Sequence, residues 1–96
     1  MFYVYVIQSK KDRALYTGST NDLRKRFREH NHGQVYSTKF RTPFELIYYE
    51  AYKSEEDARM REHNLKLRAN ALGQLKQRIR NSLGKLGVGA RPSKIM

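Results

Sequence analysis

The sequence predicts an α/β (α+β) domain: a small three-stranded antiparallel sheet flanked by helices, in the order β-β-α-β-α-α. Three observations carry that expectation. Residues 2–8 (FYVYVIQ) and Phe44 to Tyr52 (FELIYYEAY) are rich in aromatic and β-branched residues, the side chains that suit a pleated, half-buried surface. Helix-capping residues stand at Asn21, Asp22 and Ser54, each ahead of apolar residues at helical spacing. A turn-prone Ser9-Lys10-Lys11-Asp12 separates the first strand from a second short strand, Ala14 to Thr17, so these two form an antiparallel hairpin.

The second strand is expected to stop at Gly18, which is small enough to let a substrate backbone approach beside Tyr16. Asn21 or Asp22 caps a helix reaching about Asn31, with Leu23 and Phe27 four apart on its inner face and His32-Gly33 at its close. Residues 33–43 show no period and end at Pro43, as an irregular connector would. After the third strand, Ser54-Glu55-Glu56-Asp57 opens a second helix whose acids complement the positive end of the helix dipole. Leu72, Leu75, Ile79, Leu83 and Leu86 then predict a third helix or an extension of the second, with Gly73 as a candidate break. Gly84, Gly87, Gly89 and Pro92 mark a frayed basic end. Residues 1–68 are read as one domain and 69–96 as a basic helical extension.

Composition bounds what such a chain does. It has 96 residues, 20 Lys+Arg against 9 Asp+Glu and a formal net charge of +11, an excess that attracts polyanions in a salt-dependent way. The charge is uneven, because residues 67–96 contain no acid. Nucleic acid is the expected partner. The chain has no Cys, which excludes a disulfide scaffold, a thiolate zinc site and a cysteine nucleophile. No apolar run approaches the ~18 residues of a membrane span, and the N-terminal residues lack the basic lead-in of a signal peptide. The expectation is a cytoplasmic chain without a membrane partner. Its oligomeric state stays open.

Polar groups on apolar faces are the local clues. Glu62 stands four residues after Ala58 and three before Leu65, on the inward stripe of the second helix. A carboxylate there requires an ion pair, a metal or an opening to solvent. Arg59 and Lys66 are its local candidates for a pair. Arg26 and His30, four apart, flank Leu23 and Phe27 and bring a guanidinium and an imidazole to the edge of the packed face. Tyr3, Tyr5 and Ile7 share one face of the first strand, and Phe2, Val4 and Val6 the other. Each of these also fits plain packing or a solvated basic helix.

Tyr3-Val4-Tyr5, then Tyr16-Thr17-Gly18, then Ser19 to Leu23 with Arg26 and His30, resembles the GIY-YIG nuclease domain, most of all its small single-domain URI-type members. Arg61-Glu62-His63-Asn64-Leu65-Lys66 resembles the segment that supplies that family's metal-binding glutamate, and the similarity covers about residues 2–68. The resemblance implies a metal-dependent endonuclease acting on DNA phosphodiesters, with RNA as the second candidate partner. Tyr16 would be the general base, Tyr5 a second tyrosine hydrogen-bonded in the site, Arg26 the phosphate clamp and His30 an assistant nearby. Glu62 would hold one Mg2+ or Mn2+. Arg24, Lys25, Arg28, Lys39 and Arg41 are the cations expected to contact DNA. Two departures stand out: the first triplet lacks its glycine, and Ser19 replaces a lysine that in some members helps to activate the base. The competing readings are a non-catalytic basic nucleic-acid-binding protein, which leaves the inward Glu62 without a purpose, and a structural or regulatory module.

Overall fold

The computed structural model describes residues 1–87, with side chains through Gly84. Strand β1 (Phe2–Ser9) pairs antiparallel with β2 (Leu15–Thr20) on one side and β3 (Phe44–Tyr52) on the other, giving the order β2-β1-β3. Helix α1 (Leu23–Asn31) joins β2 to the connector before β3, and α2 (Glu55–Leu67), α3 (Ala69–Arg78) and α4 (Arg80–Gly87) follow the sheet. The α+β architecture is the one the sequence predicts.

β1 is apolar on both faces because it lies in the middle, between two layers. Val4 and Val6 pack against Ala58, Leu65, Leu75, Ile79 and Leu83 of the C-terminal helices. Tyr5 and Ile7 face the other way, onto Phe44, Tyr16, Leu23, Phe27 and Leu46. Each fully buried aliphatic chain contributes about 1.5–3 kcal/mol, so the alternation along β1 holds both layers to one strand. β2 is left at the edge, where groups from the two layers can meet.

The helix ends follow the capping residues. Asp22 accepts a hydrogen bond from the Lys25 amide at 3.1 Å. Ser54 accepts one from the Asp57 amide at 3.4 Å, and Glu55, Glu56 and Asp57 occupy the first turn of α2. His32 caps the end of α1, and Gly33 takes a left-handed φ of 71°.

Three local expectations are corrected. β2 continues through Gly18 to Thr20, because the backbone ladder with β1 needs no side chain there. The helical C-terminal stretch is divided at Arg68, whose extended backbone separates α2 from α3, while Gly73 lies inside α3. A further division follows at Ile79, so three helices succeed β3. Leu75, Ile79 and Leu83 belong to the same core as Val4 and Val6. Arg13, in the β1–β2 turn, donates to the Leu83 carbonyl at 3.0 Å and ties α4 to the hairpin. The Leu86 side chain, Gly89 and Pro92 lie outside the described residues. Among those described, no helix is long and apolar enough to cross a membrane.

Candidate active site

Tyr16 and Ser19 leave the edge strand on opposite sides, Tyr16 toward α1 and Ser19 toward α2. Beside them, Gly18 pairs with Tyr5 across the sheet. A Cβ at Gly18 would fall on the Tyr5 hydroxyl and within 2.7 Å of Tyr5 Cζ. The room at this glycine is therefore filled by the phenol of Tyr5 and not left for a substrate backbone. That close approach lets a buried tyrosine lie across β2 and reach α1.

On α1, His30 is fully buried and its Nε2 lies 2.8 Å from the Tyr5 hydroxyl. Its Nδ1 lies 2.8 Å from the hydroxyl of Thr38, which is also fully buried and donates to the Val35 carbonyl at 3.4 Å. A carbonyl only accepts, which assigns the Thr38 hydrogen to Val35 and leaves its oxygen to accept from His30 Nδ1–H. Nε2 then accepts from Tyr5. Burial pushes Tyr5 up to about 12, partly offset by the Arg26 guanidinium, and pulls His30 down to about 4, reinforced by the same guanidinium. Both groups are neutral at pH 7, in keeping with the direction of the network. The Tyr16 ring stacks at a tilt 5.0 Å from the imidazole. Asn31 holds the end of α1 in place by accepting from the Phe44 amide at 2.6 Å.

On α2, both oxygens of Glu62 are engaged. Ser19 Oγ donates to Oε1 at 2.6 Å, and Lys66 Nζ donates to Oε2 at 2.8 Å. Burial works to raise the carboxyl pKa, but Lys66 and Ser19 outweigh it and hold the group below its ordinary range. Lys66 Nζ also lies 5.5 Å from the centroid of the Tyr16 ring. The ammonium thus reaches around the edge of the sheet and links the acid on one side to the phenol on the other. Arg59 pairs with Glu55 instead. The rotation of α2 is set by Arg61, whose Nε and Nη2 each lie 3.0 Å from an oxygen of Glu50 in β3. Tyr48 and Tyr52 donate to the same carboxylate, so four hydrogen-bonding groups fix Glu50, the anchor to which Arg61, the residue next to Glu62, is bound.

Among the described residues there is no cluster of three or more His, Cys, Asp or Glu able to enclose a metal ion. One carboxylate with a neighbouring hydroxyl does fit a hydrated Mg2+ or Mn2+, which keeps most of its waters and takes further oxygens from phosphates.

Arg26 bonds Glu29 at 3.0 Å and remains partly exposed, with most of its guanidinium donors free of that partner. With Ser19, Thr20, Lys25, Glu29 and Arg59 it lines a cleft of about 460 Å³. Arg24, Lys25 and Arg28 are exposed on α1. Lys39 is exposed on the connector, its ammonium 4.9 Å from the Tyr36 ring and 5.0 Å from Phe40, while Arg41 pairs with Asp12 at 3.3 Å. Tyr5, Tyr16 and His30 are therefore in mutual contact, Arg26 acts on two of them through its charge, and Glu62 joins them through Lys66. Thr38 and the bridging role of Lys66 escape sequence reading. Thr38 sits in a stretch without period, and Lys66 at i+4 from Glu62 reads only as a local ion pair.

Residues 1–78 match the family model described as the GIY-YIG catalytic domain. A UPF0213 protein of Haloquadratum walsbyi is 42% identical over 65 residues, 67% of this chain and 72% of that relative. A UPF0213 protein of Clostridium perfringens is 42% identical over 67 residues, 69% of this chain and 71% of that one. The solution NMR structure of a UPF0213 protein from Bacillus halodurans is similar with a TM-score of 0.51 and 31% identity, covering 99% of this chain and 100% of that one.

Proposed function

Since the chain belongs to the GIY-YIG catalytic-domain family, we propose that it is an endonuclease that hydrolyses DNA phosphodiester bonds with the help of one divalent ion. The observation that carries this reading is the meeting at the edge of β2. Three mutually contacting rings, Tyr5, Tyr16 and His30, stand on one side, and Lys66 connects them to an ionised glutamate on the other.

The two tyrosines receive different work from their surroundings. Tyr5 is buried, donates to His30 and is held neutral, so it serves to support the site and to offer its oxygen as an acceptor. Tyr16 is only half-buried and stands beside the ammonium of Lys66, so it is the side chain that, in its phenolate form, takes a proton from the attacking water and becomes the phenol. Arg26, partly exposed at the cleft, binds non-bridging oxygens of the scissile phosphate and stabilises the charge that develops there. His30 fixes the hydroxyl of Tyr5 and, through its contact with the Tyr16 ring, the direction of the base. Glu62, steadied by Ser19, holds Mg2+ or Mn2+. That ion supplies Lewis-acid stabilisation of the phosphate charge. Arg24, Lys25, Arg28, Lys39 and Arg41 guide the DNA backbone, and the basic stretch 69–96 beyond the catalytic segment 1–68 adds phosphate contacts.

The test is a nicking assay on supercoiled plasmid. Cleavage with Mg2+ or Mn2+ that a chelator stops supports the enzyme. Tight, salt-sensitive binding with no nicking in either ion favours the non-catalytic binder and overturns the proposal.

A further inference from the structure

Glu62 has no free carboxylate oxygen: Ser19 holds one at 2.6 Å and Lys66 the other at 2.8 Å. Each oxygen keeps a second lone pair, so a cation can still reach the carboxylate, but it does so against the ammonium already seated at Oε2. Ser19 is a neutral hydroxyl and can remain beside an ion or ligate it through its oxygen. Lys66 carries a positive charge and is repelled by one. From this geometry we infer that Lys66 is the resident counter-cation of Glu62, with which a divalent ion competes, and that its displacement couples ion loading to DNA. The inference rests on the reading of Glu62 as the metal ligand.

The coupling follows from where the ammonium can go. Lys66 is nearly half exposed, so its bond to Glu62 is a weak one and reversible. Its other neighbour is the ring of Tyr16, which offers no full negative charge. Among the described residues Glu62 is the one acid within ion-pair distance of that ammonium, so without DNA the displaced group stays close to the incoming ion, which keeps affinity low. A bound phosphate gives it a new partner at the same edge of the sheet. The ion then gains phosphate oxygens and loses its competitor in one step. Linkage makes the effect reciprocal, so the ion tightens DNA by the same factor. Lys66 is in this sense a positioning residue, which keeps Glu62 ionised and aimed until substrate arrives.

The experiment titrates Mn2+ into metal-free protein by electron paramagnetic resonance, with and without a short DNA duplex, in a Tyr16→Phe background that retains the ring and prevents cleavage. Lys66→Met should bind Mn2+ about fivefold more tightly than its parent in the absence of DNA, the order of one exposed ion pair removed. The gain in Mn2+ affinity on adding DNA should shrink by a similar factor. Lys66→Arg, which keeps the charge, should behave as the parent. A Lys66→Met protein that binds Mn2+ no more tightly than the parent, or shows undiminished coupling, overturns the inference. Glu62→Gln separates the two levels of the argument. Loss of Mn2+ binding there supports the metal site on which the inference rests, and binding unchanged in Glu62→Gln overturns the metal site itself. Circular dichroism of each variant reads the fold independently, and Lys66→Gln repeats the measurement should the methionine variant fail to fold.

Discussion

Gly18 lies directly across the sheet from Tyr5, and the tyrosine occupies the volume that any side chain at Gly18 would need. The glycine is a condition for the buried phenol to reach His30. A Gly18→Ala protein should lose about 1–3 kcal/mol of stability, because the first atom of the new side chain meets a ring enclosed by Ile7, Phe44 and β2. Urea unfolding measures the loss. The Tyr5–His30 bond should break with it, seen as a shift of the His30 ring nitrogens in NMR.

Stability should fall on mild acidification because of His30. Its pKa is lowered from 6.5 to about 4 in the folded protein, chiefly by burial. The unfolded chain takes up a proton as pH drops through 6.5 while the native state refuses it until about 4. The contribution is full above 6.5 and shrinks between 6.5 and 4, by on the order of 3 kcal/mol in all. Glu50 and Glu62, held below the carboxylate range, keep their contributions above about 4.5 and lose them progressively as pH falls from there through their lower folded values. Urea midpoints at pH 7.5, 6 and 5 should decline in the wild type. They should stay nearly level over that range in His30→Gln.

Tyr16→Phe and Glu62→Gln should each reduce plasmid cleavage by at least about 100-fold, the lower range for a lost general base or charge-stabilising group. Both should bind DNA within a few-fold of wild type, since neither residue belongs to the exposed cationic face. Tyr5→Phe should reduce cleavage less steeply, because that phenol supports the site without taking the proton. Full activity in Tyr16→Phe would assign the base elsewhere.

Breaking the Arg61–Glu50 pair should cost about 2 kcal/mol, less than a fully enclosed pair because both side chains keep some contact with water. Arg61→Met leaves Glu50 with only Tyr48 and Tyr52 to satisfy it. A double-mutant cycle with Glu50→Gln in urea should return a coupling energy of the same sign. Cleavage should fall as well, since α2 loses the bond that sets the direction of Glu62.

Replacing Arg24, Lys25 or Arg28 by Gln should flatten the dependence of log affinity on log salt by about 0.9 for each phosphate contact removed from duplex DNA. These cations are exposed on α1, so the fold should be unaffected. Fluorescence anisotropy at several salt concentrations reads the slope.

The arrangement of strands and helices was legible in the residues because it depends on local chemistry. The aromatic runs fixed β1 and β3, Asp22 and Ser54 fixed where α1 and α2 begin, and two alternating faces on β1 required a layer on each side. The spacing around Tyr5, Tyr16, Arg26, His30 and Glu62 also suggested a family, and residues 1–78 match it. The break between α2 and α3 was not legible, since Arg68 carries no turn signal while Gly73 does. Nor was the filling of the space at Gly18, the bond from Thr38 that orients His30, or the reach of Lys66 from Glu62 to Tyr16. The contacts of Tyr5 with Gly18 and of Lys66 with Tyr16 join different elements, the bond from Thr38 bridges a helix and an irregular connector, and which long side chain crosses a sheet edge is decided by packing and register. Sequence determined the elements and the inventory of chemical groups. The fold alone decided which oxygen faces which nitrogen, because that depends on three-dimensional neighbours that no local pattern encodes.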